Sequence, residues 1–239
     1  MHRRINLWSG PRNISTALMY SFAQRHDTKV FDEPLYAHYL KTTGIIHPGT
    51  ADILRSQEND GEKVVASLIL GYNEKPVLFF KQMTHHLIDL DMEFLEKTYN
   101  ILLIRDPKNV LNSYRKVIEK PTLEDIGIKQ SFELFSFLES KGYHYFIIDS
   151  AQILKDPETA LTKICTACDI QFDNAMLRWE KGPRPEDGIW AKHWYTNVHN
   201  STGFQTYQEE TIDLPDHLNP IYLEAKVYYD ALIRHAIKI

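Results

Sequence analysis

Short apolar runs recur along the chain with amphipathic stretches between them. Residues 5–8, 29–31, 77–80, 101–104 and 145–148 are β-type runs bounded by turn-forming residues. They predict the strands of a parallel sheet. The intervening stretches carry helical periodicity. In 15–25, Leu18, Met19 and Phe22 share one face. Residues 50–72 are expected to form two helices broken near Asn59-Asp60-Gly61. Residues 107–119 begin with Pro107 at a first-turn position, and 122–141 open on Thr-Leu-Glu-Asp. Residues 215–239 read as a terminal amphipathic helix whose stripe is Ala225, Tyr228, Tyr229 and Leu232. This alternation predicts an α/β fold, a three-layer sandwich around a mainly parallel central sheet with right-handed crossovers. No repeat, low-complexity tract or long Gly/Ser linker divides the chain, so residues 1–239 are expected to form one domain.

Ligands of such sheets sit at the carboxyl ends of the strands. The residues that follow the runs are residues 9–16, Asp32-Glu33, residues 81–86, Arg105-Asp106 and Asp149. After the first run, Ser9-Gly10-Pro11-Arg12-Asn13-Ile14-Ser15-Thr16 leads into a helix. Unpaired N–H groups and the helix dipole make that junction attractive to an anion, and Arg12, Asn13, Ser15 and Thr16 can add a cation and hydrogen-bond donors. Against the triphosphate pattern G-x-x-x-x-G-K-[ST], Gly10 is in register. Ser15 and Thr16, however, stand where Gly and Lys belong, which weakens an ATP-using reading. The loop alone reads equally as a capped helix with Ser15 as N-cap.

Composition narrows the partners. Among 239 residues, 27 Lys and Arg face 32 Asp and Glu, a net charge of −5, so no nucleic-acid partner is expected. The longest apolar stretch, 64–72, is far short of a membrane span, and residues 1–11 lack the apolar core of a secretory leader, so no membrane association is expected. Two cysteines, Cys165 and Cys168, fall within a helical pattern and suit a reducing, cytoplasmic location. No second Cys-x-x-Cys or matching His cluster accompanies them, and no metal is expected. Nothing in the sequence indicates an oligomeric state.

The run 101–104 is followed by Arg105-Asp106-Pro107, with Ser113 on the next helix. Arg-Asp-Pro can be a plain helix-capping turn. Paired with the first loop across one sheet edge, it resembles the sulfotransferases that use 3′-phosphoadenosine 5′-phosphosulfate. The third motif is the stretch from Ile147-Ile148-Asp149 through Leu154-Lys155-Asp156-Pro157 to Phe172, similar to that family's segment after its next strand. The resemblance spans roughly residues 5 to 205. It implies a P-loop nucleoside-triphosphate-hydrolase-like fold and transfer of a sulfuryl group to a small hydroxyl- or amine-bearing acceptor. It also implies that the Ser/Thr loop with Arg12 holds the phosphosulfate end, while Arg105 and Ser113, eight positions later, hold the 3′-phosphate.

A late stretch shares features with the family's Lys-Gly loop over the nucleotide: Lys181, Gly182 and Arg184, then Gly188, Trp190 and Trp194. Lys181 and Arg184 are thereby candidates for the 3′-phosphate, and 178–207 for a lid. The two glycines are further apart than in the family, and Glu180 replaces its Arg. Two readings of the catalytic base stay open. Asp32-Glu33-Pro34-Leu35 resembles carbohydrate sulfotransferases, which have an acidic base there. The run Lys81-Gln82-Met83-Thr84-His85-His86 resembles the Lys-Thr-His stretch of cytosolic members, stretched by two residues; there His is the base and Lys steadies the reacting oxygen. Imidazole accepts a proton near neutrality, whereas a carboxylate would need burial to raise its pKa. The rival readings are a P-loop kinase of small molecules and a nucleotide-binding protein without catalysis.

Overall fold

The computed structural model describes residues 2–115, 118, 121–209 and 211–239. Each predicted run is a strand: β1 Arg3–Ser9, β2 Thr28–Asp32, β3 Val77–Met83, β4 Tyr99–Ile104 and β5 Tyr145–Asp149. They pair in the order β2-β3-β1-β4-β5, every neighbour parallel. Alternate side chains feed two separate cores. Trp8, Leu78, Phe80, Leu102, Ile104 and Ile147 pack against the helices Ile128–Lys141 and Asn219–Ile233. Ile5, Leu7, Val30, Phe79, Ile101, Leu103 and Ile148 pack against α1, Ser15–Phe22, and the helix Pro157–Ala167. Full burial of such side chains is worth about 1.5–3 kcal/mol each, so both helical layers are needed to hold the sheet.

Local chemistry explains the helix ends. Asp106 accepts a hydrogen bond from the Lys108 N–H at 2.7 Å and Pro107 opens the helix Pro107–Tyr114. Of the predicted 107–119 helix, positions 116, 117 and 119 lie outside the described residues. Thr122 and Asp125 form a reciprocal capping box. The predicted 122–141 helix is two pieces, Leu123–Ile126 and Ile128–Lys141, because Gly127 takes a left-handed φ of 70° between them. The 50–72 region breaks as expected into Thr50–Ser56 and a segment starting at Gly61, whose second part, Val65–Ile69, is π-helical. The terminal helix runs Asn219–Ile233 with Ala225 and Leu232 fully buried; beyond it the Ile237 N–H donates to the Ile147 carbonyl at 2.9 Å. Cys165 and Cys168 are buried core thiols, unpaired.

The connection after β1 runs to one side of the sheet and that after β4 to the other. The connections leaving their carboxyl ends therefore part, which opens a crevice above the paired strands β1 and β4.

Candidate active site

The phosphate-loop candidate is pinned from β4. Asn13 donates to the Leu103 carbonyl at 3.0 Å, and Arg105 donates to the Arg12 carbonyl at 2.6 Å. Arg12 in turn donates from Nε to the Ser113 hydroxyl at 3.0 Å. The first loop and the Arg105–Ser113 pair, about ninety residues apart in sequence, are thus one structure. The N-cap of α1 is Ile14, not Ser15, and no side chain caps this helix end. Ser15 and Thr16 stand on its first turn, beside N–H groups that helix geometry leaves open. Gly10 is required by proximity: a Cβ there would meet the Ile126 carbonyl oxygen at 2.4 Å.

A second cluster sits at the ends of β2 and β3. Their register puts Asp32 directly opposite Lys81. The Lys81 ammonium donates to Asp32 at 2.9 Å, to Tyr195 at 2.8 Å, and to Glu33. The Tyr195 hydroxyl lies 2.8 Å from both Asp32 oxygens, and Trp190 Nε1 donates to that hydroxyl at 3.2 Å. The Gly188 N–H also donates to Asp32, at 2.9 Å. Burial opposes the Lys81 charge, but the two carboxylates outweigh it and hold the ammonium well above its ordinary range. Glu33 is raised above its ordinary value by burial, with Lys81 acting against that and Asp32 reinforcing it. Glu33 caps no helix: α2, Tyr36–Thr43, has Leu35 as its N-cap with no side-chain cap bond.

His85 and His86 follow β3 on a single 3-10 turn. His86 is 1% exposed and stacks on Tyr36, ring centroids 4.9 Å apart. Burial lowers the pKa of both rings, with help from neighbouring imidazoles: His85 to about 4, His86 well below its ordinary value. Neither Nδ1 has a hydrogen-bond partner among the described residues.

Both clusters open on one cleft of about 1250 Å³. Arg12, Asn13, Ser15, Thr16, Arg105 and Ser113 line it at the β1–β4 crevice; Glu33, Lys81, His85 and His86 line it further along. Lys181 and Arg184 are not brought there. Lys181 is exposed, while the Arg184 guanidinium lies over the Tyr20 ring at 5.1 Å. Of the late tryptophans, Trp190 is buried against Tyr36 and Trp194 is 39% exposed, and both reach the cleft wall. Four non-glycine residues described have left-handed φ, and three of them, Arg12, Glu33 and Asp89, line this cleft. Backbone strain gathers where side chains must be aimed. Asp149 caps the next helix through the Ala151 N–H and accepts from Tyr229, a structural role.

Sequence reasoning placed Asp32 at a strand end without giving it a role, and passed over Tyr195. The pairing of Asp32 with Lys81 follows from the β2–β3 register, and Tyr195 meets Asp32 across 163 positions with no local signal. Among the described residues no group of three or more His, Cys, Asp or Glu is placed to hold a metal ion, and no helix is long and apolar enough to cross a membrane.

Comparison with known proteins bears on this geometry. A family profile described as "Sulfotransferase domain" matches residues 3–235. Two curated Arabidopsis thaliana proteins, branched-chain-amino-acid aminotransferase-like proteins 2 and 1, are 41% and 40% identical over 226 residues. Each match covers 91% of this chain and 40% of the relative, so the chain spans about 40% of these relatives' length. Among solved structures, the sulfotransferase domain from the curacin biosynthetic pathway aligns with a TM-score of 0.59 at 14% identity, covering 95% of this chain and 98% of that one. A sulfotransferase from Alicyclobacillus acidocaldarius aligns with a TM-score of 0.54 at 11% identity, covering 99% of this chain and 98% of the other. Those identities speak for the shared P-loop-type fold.

Proposed function

This chain belongs to the sulfotransferase domain family, and we propose that it transfers a sulfuryl group from 3′-phosphoadenosine 5′-phosphosulfate to the hydroxyl or amine of a small acceptor. The observation that carries this reading is the single cleft shared by two guanidinium groups at the β1–β4 crevice and a buried acid further along its wall. The fit to the donor rests on the uncapped amino end of α1, the hydroxyls of Ser15, Thr16 and Ser113, and the Arg12 and Arg105 side chains. When bound, the donor supplies an activated sulfur and a phosphate leaving group. Arg12 and the first turn of α1 hold its phosphosulfate end, and Arg105 with Ser113 holds the 3′-phosphate.

Glu33 is the base. Its raised pKa brings a carboxylate towards the acidity of an activated hydroxyl, whereas burial moves His85 and His86 the other way, to weaker basicity. Glu33 accepts the acceptor's proton as the acceptor oxygen or nitrogen bonds to sulfur. The sulfur–oxygen bond to the phosphate breaks, its electron pair stays on that phosphate, and Arg12 neutralises the charge. Lys81 spends all three N–H bonds on Asp32, Glu33 and Tyr195, so its task is to fix Glu33 rather than to touch the acceptor. Segment 178–207 forms part of the wall through Trp190, Trp194 and Tyr195 and acts as the cover of the site. The unpaired buried thiols support a cytoplasmic setting.

Thermal shift and sulfur transfer together test the reading. 3′-Phosphoadenosine 5′-phosphate at a hundredfold excess over its Kd should stabilise the protein by about 2.7 kcal/mol, and ATP with Mg²⁺ should not. Radiolabelled sulfur should then pass from the donor to members of a panel of phenols, alcohols and amines. Stabilisation by ATP with Mg²⁺ alone would make the protein a kinase. Donor binding with no sulfated product across a broad panel would make it a non-catalytic binder.

A further inference from the structure

The charge count at the ends of β2 and β3 does not balance. One cation, Lys81, faces two carboxylates, and the side chains of Lys81, Asp32 and Glu33 are 2%, 1% and 11% exposed. Two anions on one buried cation are not equivalent unless their surroundings match, and here they differ. Asp32 accepts from Lys81, from the Tyr195 hydroxyl and from the Gly188 N–H. It is saturated and does not line the cleft. Among the described residues Glu33 has one side-chain hydrogen-bond partner, Lys81, and it does line the cleft. The Tyr195 hydroxyl cannot turn away, since it accepts from Lys81 and Trp190 and has its proton left for Asp32.

We propose that Asp32 is a positioning residue, the permanent counter-ion of Lys81, held in place by Tyr195 so that Glu33 stays available to take a proton from the cleft. The inference rests on the assignment of Glu33 as base in the preceding subsection. It names a division of labour between two adjacent acids. Asp32 carries the structural charge and, through Gly188 and Tyr195, ties the late segment to the sheet; Glu33 carries the exchangeable proton. Among the described residues, the groups facing Glu33 are Asp32 at the end of β2, Lys81 from β3, Tyr36 from α2 and Tyr195 from the late segment. Of these, Asp32 is the one whose charge favours a proton on Glu33, and removing that charge leaves Lys81 to act on Glu33 alone.

The test needs no acceptor. Protein labelled with isotopic glutamate is titrated by NMR with 3′-phosphoadenosine 5′-phosphate bound, and the Glu33 signal is identified by its loss in Glu33→Gln. In Asp32→Asn the Glu33 midpoint should fall by about one pH unit or more. Tyr195→Phe, which keeps every charge, removes one acceptor from Lys81 and should shift the midpoint in the same direction by less. If Asp32→Asn does not fold, Tyr195→Phe decides alone. An unchanged midpoint in the folded variants overturns the proposal. Because the titration is independent of sulfur transfer, a shifted midpoint in a protein that sulfates nothing would count against the transferase reading and not against this one.

Discussion

Glu33 and His85 make opposite predictions at the level of single side chains. If Glu33 takes the proton, Glu33→Gln should lower turnover by about two orders of magnitude or more, with donor affinity changed less than about twofold. His85→Ala should cost less than about tenfold; a loss in His85→Ala matching that of Glu33→Gln would transfer the role to imidazole. The pH profile follows with a definite sign. Glu33 must be ionised to act, so activity should rise with pH through its raised value, above the ordinary 4.5. Stability should run the other way. As pH climbs above 4.5, the unfolded chain gives up this proton before the folded one does, so the folded state is penalised until Glu33 itself ionises. The melting temperature of Glu33→Gln minus that of the parent should therefore increase with pH over this window and then level off. A difference that stays flat across the titration would contradict the buried, proton-holding carboxyl.

Elements were legible where their cause is local and illegible where it is not. All five strands stand where apolar runs predicted them, because a sheet buried on both faces writes itself into short stretches. The capping box at Thr122 and the Asp106-Pro107 start are likewise set by neighbours in sequence. The division at Gly127 is different. Its cause is the approach of Gly10, whose Cα lies 3.0 Å from where a Gly127 Cβ would be, and no local pattern announces a contact between residues so far apart. The same holds for the candidate site. Arg12, Ser15 and Arg105 could be singled out because they follow strands, and Ser113 by its spacing from Arg105, whereas the Asp32–Tyr195 contact depends on a chain return that only the fold reveals. Lys181 and Arg184 show the converse: a motif-like stretch that does not line the cleft, with the Arg184 guanidinium over the Tyr20 ring. The Gly10–Gly127 contact also gives a prediction. Gly127→Ala forces a left-handed φ on a residue with a Cβ, at about 1 kcal/mol, and presses on Gly10. Gly10→Ala pushes the loop itself off the Ile126 carbonyl, so it should weaken 3′-phosphoadenosine 5′-phosphate binding by about tenfold or more, along with a lower melting temperature. Calorimetric titration beside thermal denaturation separates the two; Gly10→Ala with unaltered affinity would mean that the loop position is immaterial to the nucleotide.

At the scale of the whole molecule, the proposed function requires an acidic chain to attract a polyanion. The net charge of −5 repels such a ligand at long range, yet the cations lining the cleft are concentrated where the phosphates would sit. Lys81 contributes little to this attraction because Asp32 and Glu33 cancel it, which leaves Arg12 and Arg105, among the described residues, as the other cations lining the cleft. Within the ~10 Å Debye length of 0.1 M salt, the two guanidinium groups attract such a ligand, and Glu33, Asp89, Glu124, Asp125 and Glu133, which line the same cleft, oppose them. Added salt therefore screens the local attraction, and affinity for 3′-phosphoadenosine 5′-phosphate should fall by about tenfold or more between 50 and 500 mM NaCl. Arg105→Ala should start from weaker binding and show a shallower dependence of log Kd on log salt, since one of the two attracting charges is gone. Arg12→Ala should flatten the slope as well and, through the lost bond to Ser113, loosen the second clamp. Titrations of the three proteins across the salt series measure both effects. Parallel slopes for the parent and both variants would mean that hydroxyls and the helix amino end hold the ligand while the arginines serve the architecture of the loop, and the charge argument would then have to be abandoned.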